Sequence, residues 1–144
     1  MPEASLENSS SNKKLHLKIT THEKVVFDSD VDEIYAKGSQ GEFGILQNHV
    51  PFMSALEIGV TKVVIDGKPE MFTVMGGVFQ LKDNQASILT QTAENAAEID
   101  VRRAEEAKKR AEERLSGGPD DMDVKRAEVA LARAMTRLKA ISKD

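Results

Sequence analysis

The residues from Glu94 to Ala104 divide the chain into two segments with different hydrophobic periodicity. Before them, apolar and polar residues mostly alternate, as in β-strands, and after them apolar residues recur at helical spacing. Asn95 and Glu98 have the capping-box spacing that opens a helix. Asp100 then falls in the first helical turn, where it suits the helix dipole and can pair with Arg103. The sequence therefore predicts an all-β region followed by a helical one.

The first region, residues 15–93, has the pattern of short strands separated by turn signals. Leu15 to Thr20 alternates strictly between apolar and polar side chains, and Asp66-Gly67 is typical of a tight hairpin. Gly59 and Gly76-Gly77 are expected to separate strands, the pair as a bulge or a close approach of two backbones. About eight to ten strands with no helices between them indicate an antiparallel sandwich or barrel.

The second region predicts two helices, over residues 96–115 and from a cap at residue 120 or 121 to residue 142. Its second helix has apolar residues spaced as in a coiled-coil seam: Val124, Ala127, Leu131, Ala134, Leu138 and Ile141. The first helix has a matching stripe: Ala97, Ala104, Ala107, Ala111 and Leu115. A short connection makes the pair an antiparallel hairpin. Because a buried alanine contributes only about 0.8 kcal/mol, we expect a hairpin that opens.

Composition excludes several classes of function. The net charge of −4 over 144 residues disfavours a nucleic-acid partner, and no apolar run approaches the ~20 residues that direct membrane insertion requires. Cysteine is absent, and the three histidines lack metal-site spacing. No arrangement of nucleophile, base and acid predicts catalysis, so the chain is not expected to be an enzyme. Residues 1–14 lack the apolar centre of a signal peptide and are predicted to be a disordered tail.

Four fragments follow one another along the chain: Gly41-Glu42-Phe43-Gly44-Ile45-Leu46, His49 with Pro51, Met75-Gly76-Gly77, and Ile99-Asp100-Val101-Arg102-Arg103-Ala104. Together they resemble the epsilon subunit of bacterial F-type ATP synthase, over about residues 15–141. The resemblance agrees with an α+β fold, in which an N-terminal antiparallel β-sandwich precedes a C-terminal two-helix antiparallel hairpin. It implies a rotor-binding sandwich domain at 15–93 and a regulatory helical hairpin at 94–144.

The resemblance also implies a function, that of a non-catalytic central-stalk subunit coupling proton or other ion translocation to ATP synthesis. The sandwich would bind the gamma subunit and the c-ring. The hairpin would fold down on the sandwich or extend toward the alpha and beta catalytic subunits, where it would inhibit ATP hydrolysis. ATP would be a regulatory ligand of the folded-down form, and no cofactor would be required. The subunit would be peripheral, at the cytoplasmic face of the cell membrane.

Residue by residue, the family's ATP contacts fall on two segments of the chain. The motif Ile/Leu-Asp-X-X-Arg-Ala occurs here in full, and further matches give an expected ATP site of Glu94, Ile99, Asp100, Arg103, Ala104, Arg110, Arg133 and Arg137. Glu42 and His49 match family positions that contact the ring. The family usually has Pro-Gly before that histidine, whereas this chain has Gln47-Asn48, which leaves the shape of the contact loop open.

The residues themselves leave two interpretations of the arginines. On each predicted helix, arginines lie within about 40° of one another: Arg103, Arg110 and Arg114 on the first, and Arg126, Arg133 and Arg137 on the second. Converging arginines would bind a polyphosphate through charge-assisted hydrogen bonds. The alternative is a solvated face with partners such as Glu106 for Arg110. At the level of function, a stand-alone nucleotide-sensing module is the alternative to a rotor subunit.

Overall fold

The computed structural model describes residues 13–117 and 121–142. The predicted tail therefore lies outside the described residues except for Lys13 and Lys14, and so does residue 120, one of the two predicted caps. The strands are β1 (Leu15–Thr20), β2 (Val25–Val31), β3 (Glu33–Gly38), β4 (Gly41–Leu46), β5 (Phe52–Ile65), β6 (Lys68–Lys82), β7 (Gln85–Leu89) and β8 (Ala93–Asn95). A single 3₁₀ turn (Ala96–Glu98) and two helices follow, α1 (Val101–Gly117) and α2 (Asp121–Ser142).

The eight strands form one sheet in the order β2-β1-β7-β6-β5-β3-β4, with β8 paired to β6. All described pairs are antiparallel except β1 with β7. The sheet folds over one core, whose large, fully buried side chains include Leu15, Leu17, Ile19, Ile34, Ile45, Phe72, Phe79 and Ile88. The predicted β-sandwich followed by two helices is confirmed, with one parallel pair that the alternating pattern did not reveal.

The tight turn was predicted correctly, but strands that were expected to end at glycines continue through them. Asp66 and Gly67, with φ of 52° and 77°, form the tight turn that joins β5 to β6. Gly59 was expected to separate two strands, yet β5 runs through it, and the Lys37 side chain lies 3.0 Å from where a Cβ on Gly59 would be. β6 likewise continues through Gly76-Gly77. A Cβ on Gly77 would lie 2.1 Å from the Leu89 carbonyl oxygen, so the predicted close approach is confirmed.

The first α-helix begins later than predicted. The Asn95 side chain accepts a hydrogen bond from the Ala97 backbone N–H at 2.9 Å, but it caps only the 3₁₀ turn. Ile99 then takes an extended conformation, with φ −80° and ψ 130°, which ends that turn. The predicted helical stripe therefore loses Ala97, which is exposed.

Asp100 is the N-cap of α1 rather than a first-turn residue. Its carbonyl oxygen accepts the Ala104 N–H at 3.1 Å, and its carboxylate accepts the Arg103 N–H at 3.1 Å. These are the two bonds that define an N-cap. The expected contact between Asp100 and Arg103 thus involves the arginine's backbone N–H.

The helices pack against each other, and α2 also lies on β5 and β6. The buried side chains of the described helical residues are alanines: Ala104, Ala111, Ala127, Ala134 and Ala140. Four of these belong to the predicted seam, whereas Leu131 and Leu138 are only half-buried. The burial of Ala140 was not predicted, because the predicted seam accounts only for packing against α1, whereas α2 also packs on the sheet.

Candidate functional site

Seven of the eight residues predicted to bind ATP line one cavity of about 270 Å³ at the junction of the sandwich and the hairpin. They are Glu94, Ile99, Asp100, Arg103, Ala104, Arg110 and Arg137. The walls come from β8, the 3₁₀ turn, α1 and α2, four elements that meet only where the hairpin lies on the sandwich. The cavity is therefore a property of the docked hairpin.

Strand β8 holds Glu94 at this junction. Glu94 pairs in register with Thr73 of β6, and the following Asn95 donates its side-chain amide to Glu70 at 3.1 Å. The Glu94 carboxylate accepts from Nε of Arg137 on α2 at 2.7 Å, with the two side chains 35% and 27% exposed. This ion pair links the sandwich to the second helix across the cavity.

Helix α1 contributes the opposite wall. Arg103 and Arg110 lie two turns apart on the same face, since seven residues correspond to about two helical turns. Both side chains are exposed, so their guanidinium groups remain open to a ligand. Ala104 is fully buried and small, which leaves room beside Ile99. The site thus combines a small apolar surface with exposed cations.

Arg133 is the one predicted ATP-binding residue that does not line the cavity. It is exposed on α2, one turn before Arg137. Arg114 and Arg126, which share the arginine faces, do not line the cavity either. Glu106, the expected partner of Arg110, instead lies 3.5 Å from Arg102, Oε1 to Nε. The arginine faces are therefore only partly brought together.

Two lining residues were not assigned to the site from sequence, Glu98 and Ala107. Glu98 had been assigned to the capping box, and Ala107 to the helix seam. Ala107 lies four residues from Arg103 and three from Arg110, so helical spacing already placed it between them. Its small side chain keeps the space between the two arginines open.

The two predicted ring-contact residues lie on the sandwich, apart from this cavity. Glu42 is exposed near the start of β4 and lines a second, open cavity of about 500 Å³ together with Lys139 of α2. His49 is half-buried in the β4–β5 loop, its ring edge-on to Phe52 at 5.8 Å between centroids. The length of β4 separates them by roughly 13 Å or more.

Neither a metal site nor a membrane span is found in the part of the chain that the structure describes. No group of three or more His, Cys, Asp or Glu among residues 13–117 and 121–142 has an arrangement suited to a metal ion. Neither described helix is long and apolar enough to cross a bilayer.

Two family models match the chain in succession. The beta-sandwich domain of the ATP synthase Delta/Epsilon chain matches residues 14–96, and the long alpha-helix domain of the same chain matches residues 97–142. The ATP synthase epsilon chain of Pelotomaculum thermopropionicum is 48% identical over 130 residues, which cover 90% of this chain and 97% of that relative. The chain belongs to the ATP synthase epsilon chain family. The resemblance inferred from four fragments is confirmed.

Other relatives and solved structures agree with this assignment. The ATP synthase epsilon chain of Desulforamulus reducens is 44% identical over 128 residues, covering 89% of this chain and 97% of that one. A chain of the Euglena gracilis mitochondrial ATP synthase (OSCP, F1 and c-ring) has a TM-score of 0.78 at 24% identity, covering 89% of this chain and 81% of that chain. That likeness shows a shared fold. As an epsilon chain, this protein is a non-catalytic subunit of the rotary ATP synthase, as the sequence predicted.

Proposed function

We propose that this epsilon chain docks on the rotor through its sandwich, and that its hairpin restrains ATP hydrolysis unless ATP holds it down. The cavity at the junction carries this proposal, because its walls belong to both parts of the molecule. A ligand that binds only the docked arrangement stabilises that arrangement against any other. At 100 times its dissociation constant, the gain is about 2.7 kcal/mol. That is comparable to the burial of a few alanine methyl groups, at about 0.8 kcal/mol each.

The side chains around the cavity suit a nucleoside polyphosphate. Ile99 and Ala104 offer an apolar surface for a base, and Asp100 lies beside them as an acceptor for an exocyclic amino group. Arg103 and Arg110 supply guanidinium groups, which bind phosphate oxygens in bidentate geometry. Arg137 is already paired with Glu94, which offsets one of the carboxylates that would repel an anion.

Membership of the epsilon chain family supports a proposal for the partners. We propose that residues 15–93 contact the gamma subunit and the c-ring, with Glu42 and His49 on the ring side. Residues 94–144 would reach the alpha and beta subunits when the hairpin is extended. The complex would place the chain at the cytoplasmic face of the membrane, as a peripheral subunit of the machine that couples ion flow to ATP synthesis. A chain of the Tetrahymena thermophila mitochondrial ATP synthase central stalk and c-ring has the same fold, with a TM-score of 0.59.

Calorimetric titration of the full chain with ATP tests the site. Arg103→Ala and Arg110→Ala should each weaken binding about tenfold or more, since a hydrogen bond to a charged group contributes roughly 1.5–3 kcal/mol. Arg114→Ala is the matched control, because it removes an exposed arginine from the same helix outside the cavity. Equal titration curves for all the variants and the parent would remove nucleotide binding from the account.

Deletion of residues 99–144 tests the restraint on hydrolysis. This cut removes α1 and α2 but keeps β8, which belongs to the sheet. ATP synthase that contains the shortened chain should hydrolyse ATP faster than the intact complex. An unchanged rate would show that the hairpin of this protein does not restrain the enzyme.

A further inference from the structure

The β4–β5 loop, residues 47–51, is tied to the β6–β7 turn by a reciprocal pair of asparagines. The backbone N–H of Asn48 donates to Oδ1 of Asn84 at 2.6 Å, and Nδ2 of Asn84 donates to Oδ1 of Asn48 at 3.0 Å. Asn84 is only 4% exposed. Removal of the partners of a buried amide leaves it without hydrogen bonds and destabilises the fold, because water does not reach it to replace them.

The same buried amide reaches a third segment of chain. Nδ2 of Asn84 also donates to the carbonyl oxygen of Lys13 at 3.2 Å, and the Gln47 side chain donates to that oxygen at 2.5 Å. The backbone carbonyl of Asn84 accepts from the His16 N–H at 2.8 Å. The loop, the turn and the start of β1 are thus held together at one residue.

The backbone conformation of Asn48 is one that suits an asparagine. Asn48 has a φ of 67°, in the left-handed region that glycine adopts freely and asparagine tolerates. Asparagine at position 48 therefore accommodates this left-handed turn and provides a side chain that bonds to Asn84. The next residue is His49, whose N–H donates to the Leu46 carbonyl at 3.2 Å and whose Nδ1 lies 2.7 Å from the Val50 carbonyl.

We propose that Asn84 is a positioning residue for rotor docking. Through Asn48 it holds the β4–β5 loop, and with it His49, in the conformation that contacts the ring of c subunits. This inference rests on the proposed ring contact of His49. Asn84 itself is buried, so it affects the ring contact through the loop and not by touching the ring.

The first test measures the protection of the Asn48 amide against hydrogen exchange, by NMR on the full chain. Asn84→Ala should lower that protection about tenfold, which corresponds to ~1.4 kcal/mol. Asn48→Asp keeps both the backbone N–H and an acceptor oxygen at position 48. Protection of this amide in Asn48→Asp should therefore stay close to that of the parent, unlike in Asn84→Ala. Asp83→Asn is the control from the same turn, since asparagine tolerates the φ of 50° there.

Amides of Ile19 and Phe79 in the sandwich core separate positioning from general stability. They should keep their protection in Asn84→Ala, while the loop amide loses it. Equal loss at the core and the loop would assign Asn84 to the stability of the fold and overturn the proposal. Unchanged protection of Asn48 would overturn it as well. Should Asn84→Ala not fold, Asn48→Gly removes one of the two bonds and keeps the left-handed backbone, with an expected loss of severalfold.

The second test measures docking, by adding back each full chain to ATP synthase depleted of this subunit. Asn84→Ala should need severalfold more protein for half-maximal recovery of ATP-driven ion pumping and reach the same maximum, whereas Asp83→Asn should match the parent. If His49→Ala weakens docking and Asn84→Ala does not, positioning by Asn84 is wrong and the ring contact stands. If His49→Ala has no effect on docking, the ring contact of His49 is wrong, and so is the role of Asn84 in docking. Amide exchange at Asn48 would then still report on the hydrogen bonds between Asn48 and Asn84.

Discussion

The sandwich and the hairpin are stabilised by different kinds of buried side chain. The sandwich core contains fully buried Phe72, Phe79 and Ile19, and burial of such a side chain contributes about 1.5–3 kcal/mol. The buried side chains of the described helices are alanines, at about 0.8 kcal/mol each. Alanine-rich helices also retain high intrinsic helix propensity when they separate. The chain thus joins a body with large buried side chains to an arm with small ones, and we expect the arm to be the more easily released part.

A buried polar side chain under α2 adds to the difference between the sandwich and the hairpin. Thr73 lies on β6 between the core residues Phe72 and Val74, so it faces the opposite side of the sheet, which α2 covers. Its hydroxyl is fully buried and has no hydrogen-bond partner among the described residues. An unpaired buried hydroxyl costs roughly 1–3 kcal/mol, and undocking of α2 would restore its contact with water. The buried hydroxyl of Thr73 therefore destabilises the docked arrangement of the hairpin.

The largest expected effect is in the sandwich. Phe79→Ala should destabilise the sandwich by about 3–5 kcal/mol, because it removes a fully buried ring from the core. Urea unfolding followed by far-UV circular dichroism measures the change, with Met53→Ala as a control, since Met53 is 67% exposed. A loss below about 1 kcal/mol for Phe79→Ala would contradict the assignment of this region as the rigid part.

A smaller effect is expected where α2 is packed closely. Ala134 is fully buried, so Ala134→Leu should overpack the contact and open the hairpin at a cost of about 1–3 kcal/mol. Faster amide exchange in α1 and α2, with unchanged exchange in the sandwich core, would show this. Met135→Leu changes the neighbouring exposed position and should have little effect. Accelerated exchange of the whole chain in Ala134→Leu would mean that the two regions unfold as one unit.

Thr73→Val should act in the opposite direction. Removal of the unpaired hydroxyl should strengthen docking of the hairpin by about 1 kcal/mol, at the low end of the cost of an unsatisfied group. Amide exchange of α2 should slow about fivefold. Thr61→Val is the control, because Thr61 is also buried but lies opposite Phe72 in register, on the face toward the sandwich interior. An α2 that exchanges as fast as in the parent would show that this hydroxyl does not weaken docking.

The smallest effect concerns pH and lies within the sandwich. His16 Nδ1 lies 2.7 Å from Asp30 Oδ1, and Nε2 lies 2.5 Å from Asp28 Oδ1. Hydrogen bonds to Asp30 and then Asp28 raise the pKa of His16 above 6.5, against partial desolvation. A raised folded-state pKa means that the contribution is fully present below the unfolded pKa and is lost as pH rises through the folded value.

The pH dependence is tested with His16→Gln. The parent should be more stable than the variant near pH 6, by less than about 1 kcal/mol because the three side chains are partly exposed. The difference should vanish as the pH rises, and urea unfolding at a series of pH values measures it. Hairpin exchange should be the same in both chains. A difference that grows with pH would contradict the direction of the pKa shift.

Local patterns were sufficient for much of the fold. The alternation in Leu15–Thr20 predicted β1, and Asp66-Gly67 predicted the β5–β6 turn. β8 was missed, since Ala93-Glu94-Asn95 has no strand pattern of its own and becomes a strand only by pairing with β6. That pairing extends past the predicted boundary at residue 93, and the division into domains stays a prediction.

The start of α1 shows why local rules have limits. Asn95 and Asp100 both fit the rule for an N-cap, and both act as caps, one for a 3₁₀ turn and one for the α-helix. The extended backbone at Ile99 separates the two, and it belongs to the wall of the cavity. Sequence rules rank possible caps, whereas the packing of the hairpin on the sandwich decides which cap starts the helix.

The sequence predicted which residues form the candidate site better than it predicted how they are arranged. The motif at Ile99–Ala104 and the matches at Glu94, Arg110 and Arg137 supplied residues that meet at one cavity. Arg133 shares the helical face of Arg137 but lies one turn away. Helical periodicity predicts which face a residue is on, but not whether its position along the axis is level with the cavity. ATP binding at these residues stays a prediction.

Amide hydrogen exchange of the full chain, with and without ATP, tests most directly whether the hairpin is the releasable part of the molecule. Without ATP, amides of α1 and α2 should exchange faster than those of β6, and ATP should slow the helices about tenfold or more while the sandwich stays unchanged. If α1 and α2 exchange as slowly as β6 without nucleotide, and ATP alters neither region, the hairpin is a fixed part of the fold and the account is contradicted.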